Sequence, residues 1–178
     1  YRTFIKKNIK QLSSADFDKM TTKLMQQYTD NVIQLCDLGR YNLAQCEKDL
    51  LQVSARHDIP IIDDECNAVL NVMKWGRENT TSIDFTDMVW LPYELTLNPI
   101  GLQYDYIFID ECQDLNAAQR ELFLRCFRRG TRFIAVGDKK QAIYSFAGAD
   151  AESFAKLQSL TNTTTLPLPI SYRCPKKV

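Results

Sequence analysis

The sequence predicts an α/β fold preceded by a helical subdomain, and three observations carry that prediction. Up to about Thr81, apolar residues recur at three- and four-residue steps, the period of an amphipathic helix. From Ile83 onward, short β-prone runs alternate with capped helical segments, which is the pattern of βαβ units and a mainly parallel sheet. One of those runs, YDYIFI (Tyr104–Ile109), passes straight into Asp110, Glu111 and Asp114, placing acids at a strand's carboxyl end. Parallel sheets bind their ligands beyond that end. The expected organisation is a helical accessory subdomain over residues 1–81 and an α/β portion over residues 82–178.

The elements follow in order. From Asp16 to Leu38, one helical face collects Phe17, Met20, Leu24, Tyr28, Val32 and Leu35. Tyr41 to His57 does the same with Leu43, Leu50 and Val53, and Asp63 to Arg77 with Val69, Leu70 and Met73. Gly39 and the stretch from His57 to Pro60 read as the breaks between these helices. Trp75, beside Gly76, is expected as a packed core aromatic. Asp84 is placed to cap a helix through Asp87 to Leu91. Tyr104–Ile109 is the first strand, and Asn116 caps a helix through Phe127 that ends near Gly130. Arg132–Val136 is the second strand, Asp150 caps a helix to about Leu157, and Thr164–Leu168 is a third strand.

Composition excludes several classes. With 178 residues, 45% apolar and 25% charged, the chain is an ordinary globular domain, not a disordered or fibrous one. No apolar run approaches the roughly 20 residues of a membrane span. The six cysteines form no CxxC pair and there is one histidine, so reduced thiols are expected in place of a zinc site or disulfides. That usage points to a reducing, cytoplasmic location. The opening YRTFIKK has no initiator Met and reads as part of a longer protein.

Lys plus Arg balances Asp plus Glu at 22 each, but the charge is unevenly spread. Tyr1–Thr29 carries a net +4 and Gln119–Lys140 a net +5. Such patches can follow phosphates, although a solvated helix face is the commoner source of a charge run.

The chemistry concentrates at two predicted strand ends. Asp110 and Glu111 follow the first, and Gly137 and Asp138 follow Phe133-Ile-Ala-Val136. Carboxylates crowded at one crevice suit a hydrated divalent cation with a bound phosphate, because Mg²⁺ typically takes one or two carboxylates plus phosphate oxygens. Helix capping accounts for Asp114 but not for both acids at the tip.

These residues carry a resemblance. Asp110-Glu111-Cys112-Gln113-Asp114 resembles the D-E-x-Q-D Walker B motif of UvrD/Rep-type superfamily 1 DNA helicases. Gly137-Asp138-Lys139-Lys140-Gln141-Ala142-Ile143-Tyr144-Ser145-Phe146-Ala147-Gly148-Ala149 is similar to that family's third motif, and Ser171-Tyr172-Arg173 to its fourth. Ile83-Asp84-Phe85-Thr86-Asp87-Met88 resembles the segment that precedes Walker B. The resemblance covers Ile83 to Val178, while the earlier residues share only helical character with the family's inserted 1B subdomain. It implies a partial P-loop NTPase (RecA-like) sheet and an enzyme that couples ATP hydrolysis, with Mg²⁺, to 3′–5′ movement on DNA.

By that resemblance, Asp110 holds Mg²⁺, Glu111 orients or deprotonates the attacking water, and Gln141 senses the γ-phosphate. Arg173 supplies positive charge to the same phosphate. Tyr144 and Phe146, two apart on an extended segment, stack on single-strand bases, a contact worth about 1–3 kcal/mol per base. The DNA partner is implied as single- or double-stranded.

Two departures qualify the match. Ala147 stands where many members have Arg. No G-x-x-x-x-G-K-[ST] loop occurs anywhere in the chain, so the isolated chain is expected to be nearly inert as an ATPase. Two other readings compete: a non-catalytic relative that holds single-stranded DNA or a protein, and a Mg²⁺-dependent nuclease. The nuclease leaves Gln141 and the Tyr144/Phe146 pair unexplained.

Overall fold

A computed structural model describes residues 1–62, 64–97, 101, 103–141, 153–160, 163–168 and 170. Helices α1 (Arg2–Leu12), α2 (Thr22–Tyr41), α3 (Glu47–Arg56) and α4 (Glu65–Glu78) form the first layer. Then come α5 (Asp87–Glu94), strand β1 (Tyr104–Ile109), α6 (Ala117–Arg125), strand β2 (Phe127–Ala135) and α7 (Ser153–Gln158). Short 3-10 turns at Cys112–Asp114 and Lys139–Gln141 follow the two strands.

The helical core is continuous. Ile5, Tyr28, Val32, Leu35, Leu50, Val69, Val72 and Met73 are buried in one cluster, which Trp90 and Leu91 of α5 also join. The first helix was not legible in the sequence; its buried face is only Ile5 and Ile9, set among exposed lysines. Gly39 does not break a helix. It lies inside α2, which runs on to Tyr41, where a Cβ would come within 2.8 Å of Leu50 Cδ2. The glycine lets α2 and α3 approach closely, and the chain turns instead at Asn42–Cys46, where Leu43 takes a left-handed φ of 57°. Trp75 is half-buried, stacked on Phe4 at 3.7 Å between ring centroids.

A buried ion cluster joins these helices to the segment before β1. Arg40 of α2 is fully buried and pairs with Asp37 (2.6 Å), Asp84 (3.0 Å) and Asp87 (2.7 Å). Its guanidinium also lies 4.0 Å from the Tyr1 ring centroid. Asp84 caps α5 as the sequence suggests: its Oδ1 accepts from Asp87 N–H at 2.9 Å, while Asp87 Oδ2 accepts from Asp84 N–H at 3.1 Å. At the other end of α5, Arg125 of α6 donates to the carbonyls of Pro92 (2.5 Å) and Tyr93 (3.2 Å). The helix is thus held by arginines at both ends, each from a different neighbour.

The α/β part is a two-stranded parallel sheet among the described residues. Asn116 caps α6 as expected, accepting from Gln119 N–H at 2.8 Å while Gln119 Oε1 accepts from Asn116 N–H at 3.0 Å. The helix stops at Arg125, earlier than predicted, and Gly130 lies within β2. There it takes a φ of 90°, in an irregularity closed by Thr131 Oγ1, which donates to Tyr104 O at 2.6 Å. Phe123, Phe127 and Phe133 pack α6 onto the inner sheet face. Tyr106, Phe108, Ile134 and Val136 leave the outer face exposed. The predicted third strand, Thr164–Leu168, joins no sheet among the described residues: Leu166 and Leu168 are 80% and 85% exposed. Without a neighbouring strand, its β propensity has no ladder to complete.

Among the described residues, no helix is long and apolar enough to cross a membrane. The basic run Gln119–Lys140 is partly engaged in the fold, while Arg129, Arg132 and Lys140 stay exposed. Arg120 is buried and bonds Ser153 Oγ at 3.2 Å, Arg125 holds α5, and Arg128 pairs with Asp105.

Candidate functional site

β1 and β2 run side by side, so their carboxyl ends meet. Ile109 is in register with Ala135. Pairing continues past both strands: Val136 N–H donates to Ile109 O at 2.8 Å, and Cys112 N–H to Val136 O at 2.9 Å. Between them stands Gly137, where a Cβ would lie 2.5 Å from Gln113 Oε1 and 2.7 Å from Cys112 Sγ. Only a residue without a side chain lets the tips close this tightly.

Glu111 takes a left-handed backbone, φ 49° and ψ 46°. Such a conformation costs a non-glycine residue about 1–2 kcal/mol, and strain of this kind concentrates at functional sites. Asp110 and Glu111 are both exposed, so water offsets their charge and no buried cation is needed. Asp110 Oδ1 accepts from Glu111 N–H at 2.9 Å.

The partner of the acids is an amide. Gln113, 4% exposed, donates from Nε2 to Glu111 Oε2 at 2.7 Å and accepts at Oε1 from Asp138 N–H at 3.0 Å. Asp138 in turn closes the Lys139–Gln141 turn, accepting from Lys140 N–H at 2.9 Å and from Gln141 Nε2 at 3.0 Å. The Lys140 N–H, then the Gln141 amide, hold the Asp138 carboxyl below the usual carboxylate range. Burial pushes the Cys112 thiol up, so it stays protonated between the tips.

The structure therefore links Glu111 and Gln141 in one hydrogen-bonded chain running through Gln113 and Asp138. Asp110 stands beside Glu111, outside that chain. Tyr144, Phe146, Arg173 and Asp150 lie outside the described residues. Among the described residues no three His, Cys, Asp or Glu side chains converge as a metal cage. The exposed hard-oxygen donors of Asp110 and Glu111 nevertheless suit a Mg²⁺ that keeps water and phosphate oxygens for most of its ligands.

The family model for the UvrD/REP helicase N-terminal domain matches residues 2–162. The chain belongs to this family. As a UvrD/REP helicase N-terminal domain it is similar to RecBCD enzyme subunit RecB of Haemophilus influenzae, 29% identical over 146 residues. That match covers 80% of the chain and 10% of the relative. ATP-dependent DNA helicase PcrA of Bacillus subtilis is 30% identical over 104 residues, 54% of the chain and 14% of the relative. ATP-dependent DNA helicase Rep of Buchnera aphidicola is 29% identical over 103 residues, 54% of the chain and 15% of the relative. The chain thus spans only a small part of the length of the relatives it matches. No solved structure matches it.

In this UvrD/REP domain, sequence reasoning missed two residues that organise the site region. Gln113 stood inside the D-E-x-Q-D motif without a role, although it is the one neutral side chain there that both donates and accepts. Arg40 carried a fainter signal: a lone cation four residues after Cys36 on an apolar helix face. Asp37, three positions earlier, is within helical reach, but nothing in the sequence names Asp84 and Asp87, which arrive from 44 and 47 positions away.

Proposed function

We propose that the chain is part of an ATP-dependent DNA helicase or translocase that moves 3′–5′ on single-stranded DNA. Residues 1–81 form its 1B-like helical subdomain, and residues 82–178 a portion of a RecA-like P-loop motor domain. Asp110 would hold Mg²⁺, which when bound supplies charge neutralisation to the phosphates. Glu111 orients or deprotonates the attacking water, and Gln141 reads the γ-phosphate. Arg173 adds positive charge, and Tyr144 and Phe146 stack on bases. The observation that carries this reading is the bonded chain from Glu111 through Gln113 and Asp138 to Gln141. It sets a carboxylate suited to activating water and an amide suited to phosphate at two adjoining strand tips.

The 178-residue chain contains no G-x-x-x-x-G-K-[ST] loop, so by itself it hydrolyses ATP negligibly. The relatives' names support ATP-dependent helicase activity for a longer protein carrying this domain, with DNA as its partner, and the cysteine usage points to a cytoplasmic location. The test is a polypeptide that joins this chain to a phosphate-binding loop and a second motor domain. Single-stranded DNA is expected to stimulate its ATPase, and Glu111→Gln to retain nucleotide binding while losing about 10²-fold or more in turnover. DNA-independent hydrolysis, or full turnover in Glu111→Gln, refutes the assignment.

A further inference from the structure

The D-E-x-Q-D run has a member that the catalytic reading leaves idle. Gln113 sits in the 3-10 turn after β1 and is almost wholly buried, yet its two amide atoms point at different strands' ends. Nε2 donates to Glu111 Oε2 at 2.7 Å, with a longer contact of 3.4 Å to Asp114 Oδ2. Oε1 takes the N–H of Asp138 at 3.0 Å, across the gap that Gly137 keeps open. The turn bearing Gln141 begins at that same Asp138, which accepts Gln141's backbone N–H at 2.9 Å and its side-chain amide at 3.0 Å.

We propose that Gln113 is a positioning residue that locks the Glu111 carboxylate to the turn carrying Gln141, so that a shift of that turn is felt at Glu111. This rests on the role given to Glu111 under Proposed function. Three features support it. The exposed Glu111 side chain leaves a left-handed backbone and would swing freely in water without a fixed donor. Gln113 supplies that donor from a buried position. Its other end is spent on a backbone N–H of the second strand tip, so neither bond can move without the other. Only a terminal amide can do both at once: glutamate keeps the acceptor but adds a repelling charge, methionine keeps the shape and loses both bonds, and asparagine is too short to span the gap.

Hydrogen exchange by NMR on this chain tests the bridge without nucleotide. Gln113→Met is expected to speed exchange at the Asp138 amide about tenfold, while the Cys112 amide, bonded to Val136 O, stays protected. Gln113→Glu is expected to keep Asp138 protected. Glu111→Ala, an exposed truncation that leaves the sheet intact, is expected to move the Gln113 side-chain amide and Asp138 amide resonances together. It decides the point if Gln113→Met fails to fold. Unchanged Asp138 exchange in folded Gln113→Met, or an Asp138 resonance indifferent to Glu111→Ala, overturns the proposal.

In the ATP-hydrolysing polypeptide, Gln113→Glu is expected to lower kcat about tenfold with KM for ATP nearly unchanged, the mark of a lost transition-state arrangement. Unaltered kcat refutes the positioning role. If the parent polypeptide itself does not turn over, the helicase reading fails, and the exchange data still decide whether the bridge exists.

Discussion

Replacing Arg40 with methionine removes the cation that three carboxylates share, and the cost can be worked from their surroundings. Asp37 and Asp84 are about one-third exposed on their side chains, so each can turn to water, and their pairing contributes little. Asp87 cannot, since its side chain is 1% exposed. Stripping one partner from a buried pair costs about 3–5 kcal/mol. Asp87 Oδ2 keeps the Asp84 N–H, which sets the expectation at the lower end, about 3 kcal/mol. That is a large share of the roughly 5–15 kcal/mol that holds a domain together. Urea unfolding followed by tryptophan fluorescence reads it directly, because Trp90 lies beside the guanidinium. Adding Asp87→Asn to Arg40→Met should recover about 2 kcal/mol by removing the stranded charge.

The loss should also depend on pH. Burial pushes the Asp84 carboxyl up, but hydrogen bonds from Arg40 and from the Asp87 N–H, together with the charge of Arg40, push it further down, below the ordinary carboxylate range. A carboxyl depressed in the folded state lends stability above its unfolded pKa of about 3.9 and loses it as pH falls through the folded value. The Asp84 share of the difference between the unaltered protein and Arg40→Met, small beside that of Asp87, should therefore be full at pH 7 and fade below about pH 4. A loss under 1 kcal/mol at neutral pH, or no recovery in the double variant, refutes the reasoning.

Two further outcomes are expected. Burial pushes the Asp64 carboxyl up, but hydrogen bonds from the hydroxyls of Ser13, Ser14 and Tyr28 and from the Ser14 N–H bring it down to about 2. Asp64→Asn should cost about 1 kcal/mol at pH 7, reduced from the full linkage value by solvent screening, and should flatten the acid limb between about pH 4 and pH 2. Thiol reagent titration should separate the cysteines: exposed Cys46 reacts in the native chain, whereas Cys36, buried and pushed up to about 12, reacts only after denaturation. Rapid modification of Cys36 under native conditions contradicts the packing around Arg40.

The sequence carried the helical periodicities, the strand at Tyr104–Ile109 and the Asn116 cap because each depends on neighbours within a few positions. What it concealed depends on distance in space. Gly39 looks like a breaker until Leu50 is seen pressing on it. Thr164–Leu168 has a strand's composition, but composition cannot supply the neighbour that a strand requires. At the site, Asp110 and Glu111 were legible as acids at a strand tip, and their meeting with the Gln141 turn followed from parallel strands. The bridging amide was not, because a glutamine beside two acids reads the same whether it faces solvent or a second strand.

The left-handed backbone at Glu111 has an evolutionary corollary. Glycine or asparagine would occupy that corner at less conformational expense, so selection for heat resistance alone should drift toward them. Finding glutamate there in a heat-tolerant homologue would mean that turnover, not durability, governs the choice of residue at this corner.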